Sequence, residues 1–162
     1  MDPALSEPPI AGVTLTDLRE IPDSRGAVLH MFRADAADFV RFGECYFSEV
    51  LPGAVKAWKR HRHQTQNLAV PAGRIRLVIF DDRPASPTRG RLLSTELGRP
   101  DAYRRVGIPP GVWYGFAGIS AGAALVANCP DRPHDPTDSE TCASSDAAIP
   151  YSWESAPLPA KS

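Results

Sequence analysis

Short apolar runs that end at proline or glycine are the feature that most constrains the fold of this chain. The sequence spreads 17 prolines and 12 glycines over 162 residues. Cys45–Val50 ends at the turn Leu51-Pro52-Gly53, and Ile75–Phe80 follows the turn Pro71-Ala72-Gly73. Prolines and glycines at such short intervals are incompatible with long helices and typical of many short antiparallel strands. The pattern predicts an all-β sandwich or barrel with only short helical turns.

The apolar runs give a set of predicted elements within one domain. A chain of this length folds most readily as a single domain with its own core. We expect a flexible N-terminal arm over residues 1–11, a folded domain over 12–155 and a tail over 156–162. A helical turn is expected at 34–40, and residues 81–83 and 131–140 are predicted to be solvated loops. The predicted strands are residues 13–18, 27–32, 45–50, 68–70, 75–80, 91–97, 113–119 and 123–128.

Charge and cysteine content exclude several classes of protein. The formal net charge is −1, so no overall field favours nucleic acid or an anionic membrane. Three cysteines (Cys45, Cys129 and Cys142) form no CxxC pair, which fits a reduced cytoplasmic protein better than a disulfide scaffold. No apolar run approaches the roughly 20 residues of a membrane-spanning helix, and the N-terminus lacks the pattern of a signal peptide.

The stretch from Val55 to Asn67 concentrates two lysines, two arginines and two histidines. In an extended strand Lys59, His61 and His63 lie on one face, because side chains alternate. A barrel turns one face of each strand inward, so these three residues are predicted to line a pocket. The alternative is a solvent-facing polar edge that protects the sheet from association.

Two short motifs resemble the metal-binding motifs of the cupin superfamily. His61-x-His63 is followed by Asn67 where cupins carry a Glu, and Pro109-Pro110-Gly111 is followed by Tyr114 where they carry a His. The resemblance implies a cupin-type jelly roll, also called a double-stranded β-helix barrel. Asn67 and Tyr114 are weaker ligands for a divalent ion, so neither a metal nor another cofactor is expected. A metal-dependent cupin that uses His61 and His63 stays an alternative.

Longer motifs resemble the dTDP-4-dehydrorhamnose 3,5-epimerase family, a metal-free branch of the cupins. The matching segments are residues 23–26 (D-S-R-G), 86–90 (S-P-T-R-G), 108–116 (I-P-P-G-V-W-Y-G-F), and Asp146 with residues 151–153 (Y-S-W). They occur in the family's order and cover about residues 13–153. The resemblance implies a homodimer that exchanges N-terminal strands and acts on a nucleoside diphosphate sugar.

The chain departs from this family at its catalytic positions. Lys59 stands where the family has its catalytic His, Gln66 where it has a Lys, and Val126 near its catalytic Tyr. Substitutes are therefore required if the chain is active. The candidate catalytic residues are Lys59, His61, His63, Tyr114 and Asp146. The candidate substrate-binding residues are Arg25, Lys56, Gln66 and Trp58.

The chemistry implied by the resemblance needs a base, an acid and a cation. A 4-keto sugar has acidic C–H groups beside its carbonyl, and inversion proceeds by removing one proton and returning another. Lys59, His61 and His63 are the expected base and cation, Tyr114 the expected acid, and Asp146 the expected orienting carboxylate. We therefore predict a nucleoside diphosphate 4-keto-6-deoxy sugar epimerase in carbohydrate biosynthesis. The alternative from another class is a non-catalytic cupin that binds a sugar nucleotide or other anionic metabolite.

Overall fold

The computed structural model describes residues 10–155, and these residues form short strands joined by turns. A 3₁₀ turn, Trp153–Ser155, closes the described chain. The predicted N-terminal arm falls mainly on residues 1–9, and the predicted tail on 156–162, which lie outside the described residues. The strands are β1 Thr14–Asp17, β2 Glu20–Asp23, β3 Gly26–Leu29, β4 Tyr46–Val50, β5 Val55–His61, β6 Gln66–Ala72, β7 Arg74–Phe80, β8 Leu92–Gly98, β9 Arg104–Ile108, β10 Trp113–Gly118, β11 Ala124–Asn128 and β12 Ser139–Thr141.

Ten of the strands build two five-stranded antiparallel sheets. One sheet has the order β1-β9-β6-β11-β4, and the other has the order β12-β5-β10-β7-β8. The remaining strands, β2 and β3, pair with each other as a separate hairpin. This architecture confirms the predicted all-β jelly-roll barrel of the cupin type.

The main core lies between the two sheets, and a second aromatic cluster covers the outer face of β5 and β10. Leu77 and Ile79 belong to the inner core, whereas Val78 between them belongs to the outer cluster. This division follows from the alternation of side chains along a strand. The outer cluster also contains Trp58, Trp113 and Trp153. Both faces of this sheet are therefore buried where β5, β7 and β10 meet.

Two loop predictions differ from the structure. Residues 34–40 form successive turns rather than a helix, with bonds from the amide of Ala36 to the Arg33 carbonyl and from Phe39 to Ala36. The predicted solvated loop 131–140 contains the first residues of β12, and Asp138 within it is 8% exposed. Pairing of this short strand with β5 removes part of the loop from solvent.

The predicted solvated turn at residues 81–83 also proves wrong, because Asp81 is fully buried. Burial raises the pKa of Asp81, but side-chain hydrogen bonds from Arg83, Ser86 and Thr88 outweigh it and hold the pKa well below its usual range. Asp81 thus organises the loop that carries the S-P-T-R-G segment.

No helix among residues 10–155 is long and apolar enough to cross a membrane.

Strands β5 and β10 approach closely at Gly115. A Cβ atom at this position would overlap the Ala57 side chain and come within 3.0 Å of the Ala57 Cα and of the Trp153 ring. Ala57 and Trp153 are both held in place by the outer aromatic cluster. Gly115→Ala is therefore expected to lower the free energy of unfolding by about 1–3 kcal/mol, measured by urea denaturation.

Gly122→Ala is the matched control, because a Cβ at Gly122 meets nothing within 4 Å. We expect this control to change the free energy of unfolding by less than about 0.5 kcal/mol. Equal stability of the two variants would contradict the close approach of β5 and β10.

Candidate active site

A cavity of about 330 Å³ opens between the two sheets at the end where β4, β5, β10 and β11 meet. Its walls combine apolar groups, including Leu68, Phe116 and Val126, with a small set of polar groups. This size and mixture are typical of sites for small ligands. The polar residues that line it are Tyr46, Ser48, Lys56, Lys59, Tyr114, Asn128 and Thr141.

An irregularity in the β5–β10 pairing brings both lysines of β5 to the cavity. Tyr114 pairs with Lys59 and Phe116 pairs with Lys56, so three steps along β5 match two steps along β10. A strand with such a bulge changes the direction of its side chains locally. Simple alternation would put Lys56 and Lys59 on opposite faces, but both line the cavity.

The two lysines have different surroundings. Lys56 is exposed at the mouth, and its ammonium group donates to the Ser48 hydroxyl at 2.9 Å and the Glu49 carbonyl at 2.6 Å. Lys59 is half-buried, and no hydrogen bond or ion pair joins its ammonium group to another of the described residues. Of the two cavity lysines, Lys59 is therefore the one whose ammonium group is free to meet a ligand.

His61 and Tyr114 form a buried pair beside Lys59. The Nε2 atom of His61 lies 3.1 Å from the Tyr114 hydroxyl, and the rings stack with 6.0 Å between centroids. Burial, reinforced by the positive charge of Lys59, lowers the pKa of His61 to about 4. Burial also raises the pKa of Tyr114 well above its usual range. Both side chains are therefore neutral near pH 7.

Asp138 is the carboxylate that faces both histidines. One oxygen accepts the His63 backbone N–H at 2.9 Å and contacts His63 Nδ1 at 2.8 Å, and the other accepts the Gln64 N–H at 3.1 Å. This second oxygen also lies 3.7 Å from His61 Nδ1. Burial raises the pKa of Asp138, but the hydrogen bonds from His63 and Gln64 outweigh this effect, and the pKa lies below its usual value. Asp138 is therefore ionised at neutral pH.

Asp146 does not take the position expected for the orienting carboxylate. Its side chain accepts the Ala148 N–H at 2.9 Å, and no hydrogen bond or ion pair within residues 10–155 connects it to His61 or His63. The prediction that Asp146 orients a histidine followed from the family resemblance alone. In the structure, pairing of β12 with β5 brings Asp138 to the histidines instead.

His63 lies outside the cavity. Strand β5 ends at His61, so the alternation that predicted a common face with Lys59 stops two residues too early. The His63 side chain is 70% exposed and contacts Asp138 from the solvent side.

Gln66 lies behind the cavity wall in a hydrogen-bonded chain of amides. It is 1% exposed, donates to the Gln64 side chain at 2.6 Å and accepts from Asn128 at 2.6 Å. Asn128 in turn donates to the Tyr46 hydroxyl at 2.9 Å. Gln66 is therefore not among the residues that line the cavity, whereas its partner Asn128 is.

Two further candidates for substrate binding, Trp58 and Arg25, make contacts with other side chains of the protein. Trp58 borders the cavity, but its indole is 1% exposed, packs against Trp153 at 5.1 Å and donates to the Ser144 carbonyl. Arg25 lies on the β2–β3 hairpin, where its side chain is 87% exposed and pairs with Asp23 at 2.8 Å. Arg25 is not among the residues that line the cavity of its own chain.

A metal site is not formed by the side chains that cupins use for one. Among residues 10–155 no group of three or more His, Cys, Asp or Glu side chains is arranged to hold a metal ion. Asn67, at the position of the cupin Glu, accepts a hydrogen bond from Arg105 at 3.0 Å and donates to the Cys129 carbonyl.

Sequence reasoning missed Asp138, Asn128 and Tyr46. The last two carried a usable signal, since alternation puts Tyr46 on the inner face of β4 with Val50, and Asn128 on the inner face of β11 with Val126. Asp138 carried none, because it lies in a proline-rich segment with no periodic pattern.

Comparison with known proteins gives consistent matches over almost the whole chain. The sequence model of the family described as dTDP-4-dehydrorhamnose 3,5-epimerase matches residues 7–161. The Haloferax volcanii protein named Probable low-salt glycan biosynthesis epimerase Agl13 is 35% identical over 146 residues, or 89% of this chain and 90% of that protein. Spore coat polysaccharide biosynthesis protein SpsL of Bacillus subtilis is 28% identical over 141 residues, or 82% of this chain and 93% of SpsL.

A solved structure is similar at the level of the whole fold. The crystal structure of a dTDP sugar isomerase from Desulfovibrio desulfuricans G20 is 54% identical to this chain, with a TM-score of 0.90. The match covers 93% of this chain and 96% of the isomerase.

Burial of neutral His61 makes the stability of the protein depend on pH. The unfolded chain takes up a proton at this histidine near pH 6.5, but the folded protein only near pH 4. The contribution is therefore fully present above pH 6.5 and is lost as the pH falls towards 4. Between pH 7.5 and 5 we expect a loss of about 2 kcal/mol in the free energy of unfolding, measured by urea denaturation.

His61→Gln removes the titrating group and should lack this part of the pH dependence. If wild type and His61→Gln lose the same free energy between pH 7.5 and 5, the buried neutral histidine is contradicted.

Proposed function

The chain belongs to the dTDP-4-dehydrorhamnose 3,5-epimerase family, and on this premise we propose that it epimerises a nucleoside diphosphate 4-keto-6-deoxy sugar. The observation that carries the proposal is the cavity in which Lys59, without a described partner, lies beside the Tyr114–His61 pair. The names of the relatives Agl13 and SpsL refer to glycan and polysaccharide biosynthesis. They support a role of this chain in carbohydrate biosynthesis.

The reaction requires stabilisation of an enolate, and Lys59 is suited to provide it. Removing the proton next to the keto group moves an electron pair towards the carbonyl oxygen. A cation held in a partly dry cavity stabilises that developing charge better than it would in water. Lys59 lines the cavity with its ammonium group uncommitted to other described residues, so we assign it this role.

The Tyr114–His61 pair is the proposed base. The Asp138 carboxylate favours a proton on His61 Nδ1, 3.7 Å away, which leaves Nε2 to accept the Tyr114 hydroxyl proton. Lone pairs of the Tyr114 oxygen then remain for the sugar C–H proton. As Tyr114 takes that proton, its own passes to His61, and Asp138 stabilises the imidazolium that forms. This assignment reverses the acid role that the sequence suggested for Tyr114.

The mouth of the cavity is the proposed site of the diphosphate. Lys56 is exposed there with only neutral partners, the Ser48 hydroxyl and the Glu49 carbonyl. A diphosphate oxygen would offer a stronger, charge-assisted partner.

Deuterium exchange tests the proposal. Incubation of dTDP-4-keto-6-deoxyglucose in D₂O with wild type should give NMR-detected deuterium at C3, C5 or both. Lys59→Met, which removes the cation, should slow incorporation about 100-fold or more. His61→Gln, which removes the proton acceptor, should slow it by a factor of about 10² to 10⁴.

Arg89→Met is the matched control, because it removes a charge from an exposed loop residue outside the cavity. It should exchange at the wild-type rate. No exchange by wild type with this substrate or with its CDP, UDP and GDP analogues would reject the proposed function.

We also propose a homodimer in which the β2–β3 hairpin contacts the partner subunit. The hairpin pairs with neither sheet of its own chain. It exposes Ile21 and Val28, which lie opposite each other in its register, and Phe47 on the edge strand β4 is also exposed. Contact between such surfaces would bury apolar area. Arg25, in the turn of this hairpin, would then be available to the partner's bound substrate.

Sedimentation velocity tests the assembly. The wild type is expected to have twice the mass of one chain, and Val28→Glu, which places a charge on the exposed hairpin, should shift it towards the monomer. Ala121→Glu, in an exposed turn between β10 and β11, serves as control and should leave the dimer intact. A monomeric wild type at micromolar concentration would overturn the dimer.

A cytoplasmic location is part of the same proposal. The three cysteines, Cys45, Cys129 and Cys142, are all free. Free thiols are typical of proteins in reducing compartments.

A further inference from the structure

Tyr46 lines the cavity, but the sequence analysis did not select it and it is not part of the proposed Tyr114–His61 base. It begins β4, in the sheet that faces β5 and β10, and lines the cavity with Ser48 from the same strand. Tyr114 and Lys59 come from the other sheet. The two tyrosine hydroxyls therefore belong to opposite walls of one cavity.

The hydrogen bonds around Asn128 determine the direction of the Tyr46 hydroxyl. The Asn67 backbone N–H can only donate, and it donates to Asn128 Oδ1 at 3.1 Å. The Asn128 Nδ2 is then the atom that faces Gln66 Oε1 at 2.6 Å and the Tyr46 oxygen at 2.9 Å. Since the NH₂ group donates, Tyr46 accepts, and its own proton is not used in this contact.

The Tyr46 proton is therefore available to a ligand. Within the part of the chain that the structure describes, no residue accepts a hydrogen bond from the Tyr46 hydroxyl, and Tyr46 lines the cavity. Tyr114 has the opposite arrangement in the proposed tautomer of His61, because its proton then faces His61 Nε2 at 3.1 Å. One wall of the cavity thus presents a phenol oxygen that can accept a proton, and the other presents a phenol that can donate one.

We propose that Tyr46 is a catalytic residue, the acid that protonates the enolate carbon on the face opposite Tyr114. This inference rests on the proposed epimerase function. In the step, the Tyr46 O–H bond breaks and a C–H bond forms with the electron pair of the enolate, while the C=O bond is restored. The Tyr46 phenolate then takes a proton from water, and the His61 imidazolium gives its proton to the hydroxide that remains, so that both groups are restored.

Two properties of Tyr46 suit this role. Burial raises the pKa of Tyr46, so the phenol carries its proton at neutral pH until an enolate is present. The residue is also 40% exposed, so water can reach the hydroxyl to return the proton. Tyr114, by contrast, is 7% exposed, and in the proposed mechanism its proton passes to His61.

The test separates proton removal from inversion. In D₂O, NMR measures deuterium in the recovered substrate and, separately, the amount of inverted product. Tyr46→Phe is expected to form inverted product at least about 100-fold more slowly than wild type, because the acid is missing. Its incorporation of deuterium into recovered substrate should stay within threefold of wild type, because Tyr114 and His61 still remove and return a proton on one face.

A second variant tests the hydrogen-bond direction without removing the phenol. Asn128→Asp replaces the donor to Tyr46 by an acceptor, so the Tyr46 proton is held by the carboxylate. This variant should also lose inversion about 100-fold while keeping exchange. Tyr151→Phe, which removes a hydroxyl from the aromatic cluster outside the barrel, is the control and should match wild type in both measurements.

The outcomes distinguish this inference from the proposed function. If Tyr46→Phe or Asn128→Asp forms inverted product at the wild-type rate, the acid role of Tyr46 is overturned. The proposed epimerase function is not affected by that result. A parallel loss of exchange and inversion in Tyr46→Phe also overturns it, because that pattern indicates a general structural effect. A wild type with neither exchange nor inversion rejects the epimerase and the acid role together.

Discussion

The pairing of β5 with β10 is the constraint on which the rest of the site depends. Gly115 allows the two strands to approach at Ala57, and the extra residue in β5 turns Lys56 and Lys59 to the same side. A regular ladder would turn one of these lysines away from the cavity. The same register puts Lys59 opposite Tyr114, so cation and phenol meet because of backbone geometry.

Burial and hydrogen bonding then define the protonation state or the hydrogen-bond partners of several polar groups at the cavity. A buried polar group that lacks a partner is costly, so His61, Tyr114 and Asn128 each contact a polar neighbour. Asp138 is held by two backbone N–H groups and faces His61 Nδ1, while the Asn67 N–H orients the Asn128 amide. Tyr46 accepts from Asn128, and in the proposed tautomer of His61 the Tyr114 hydroxyl donates, so the two bonds run in opposite directions.

Much of the architecture could be predicted from the sequence, because strand alternation and turn residues are local signals. The jelly-roll barrel and the family are confirmed, and the basic strand and the family motifs suffice to indicate Lys59, His61 and Tyr114 as candidates. Errors occurred where local patterns stop. His63 lies beyond the last residue of β5, and Asp81 and Asp138 lie in loops that tertiary contacts bury. The catalytic roles of the candidates stay predictions.

The sequence by itself determined the strands, the turns and the residue types available for chemistry, since these depend on neighbours along the chain. Only the tertiary structure decided which carboxylate faces His61, because Asp138 is 77 residues away in sequence and arrives through the β12–β5 pairing. It also decided that Tyr46 and Asn128, 82 residues apart, share a hydrogen bond. The direction of that bond comes from Asn67 in a third strand, and no local pattern carries such information.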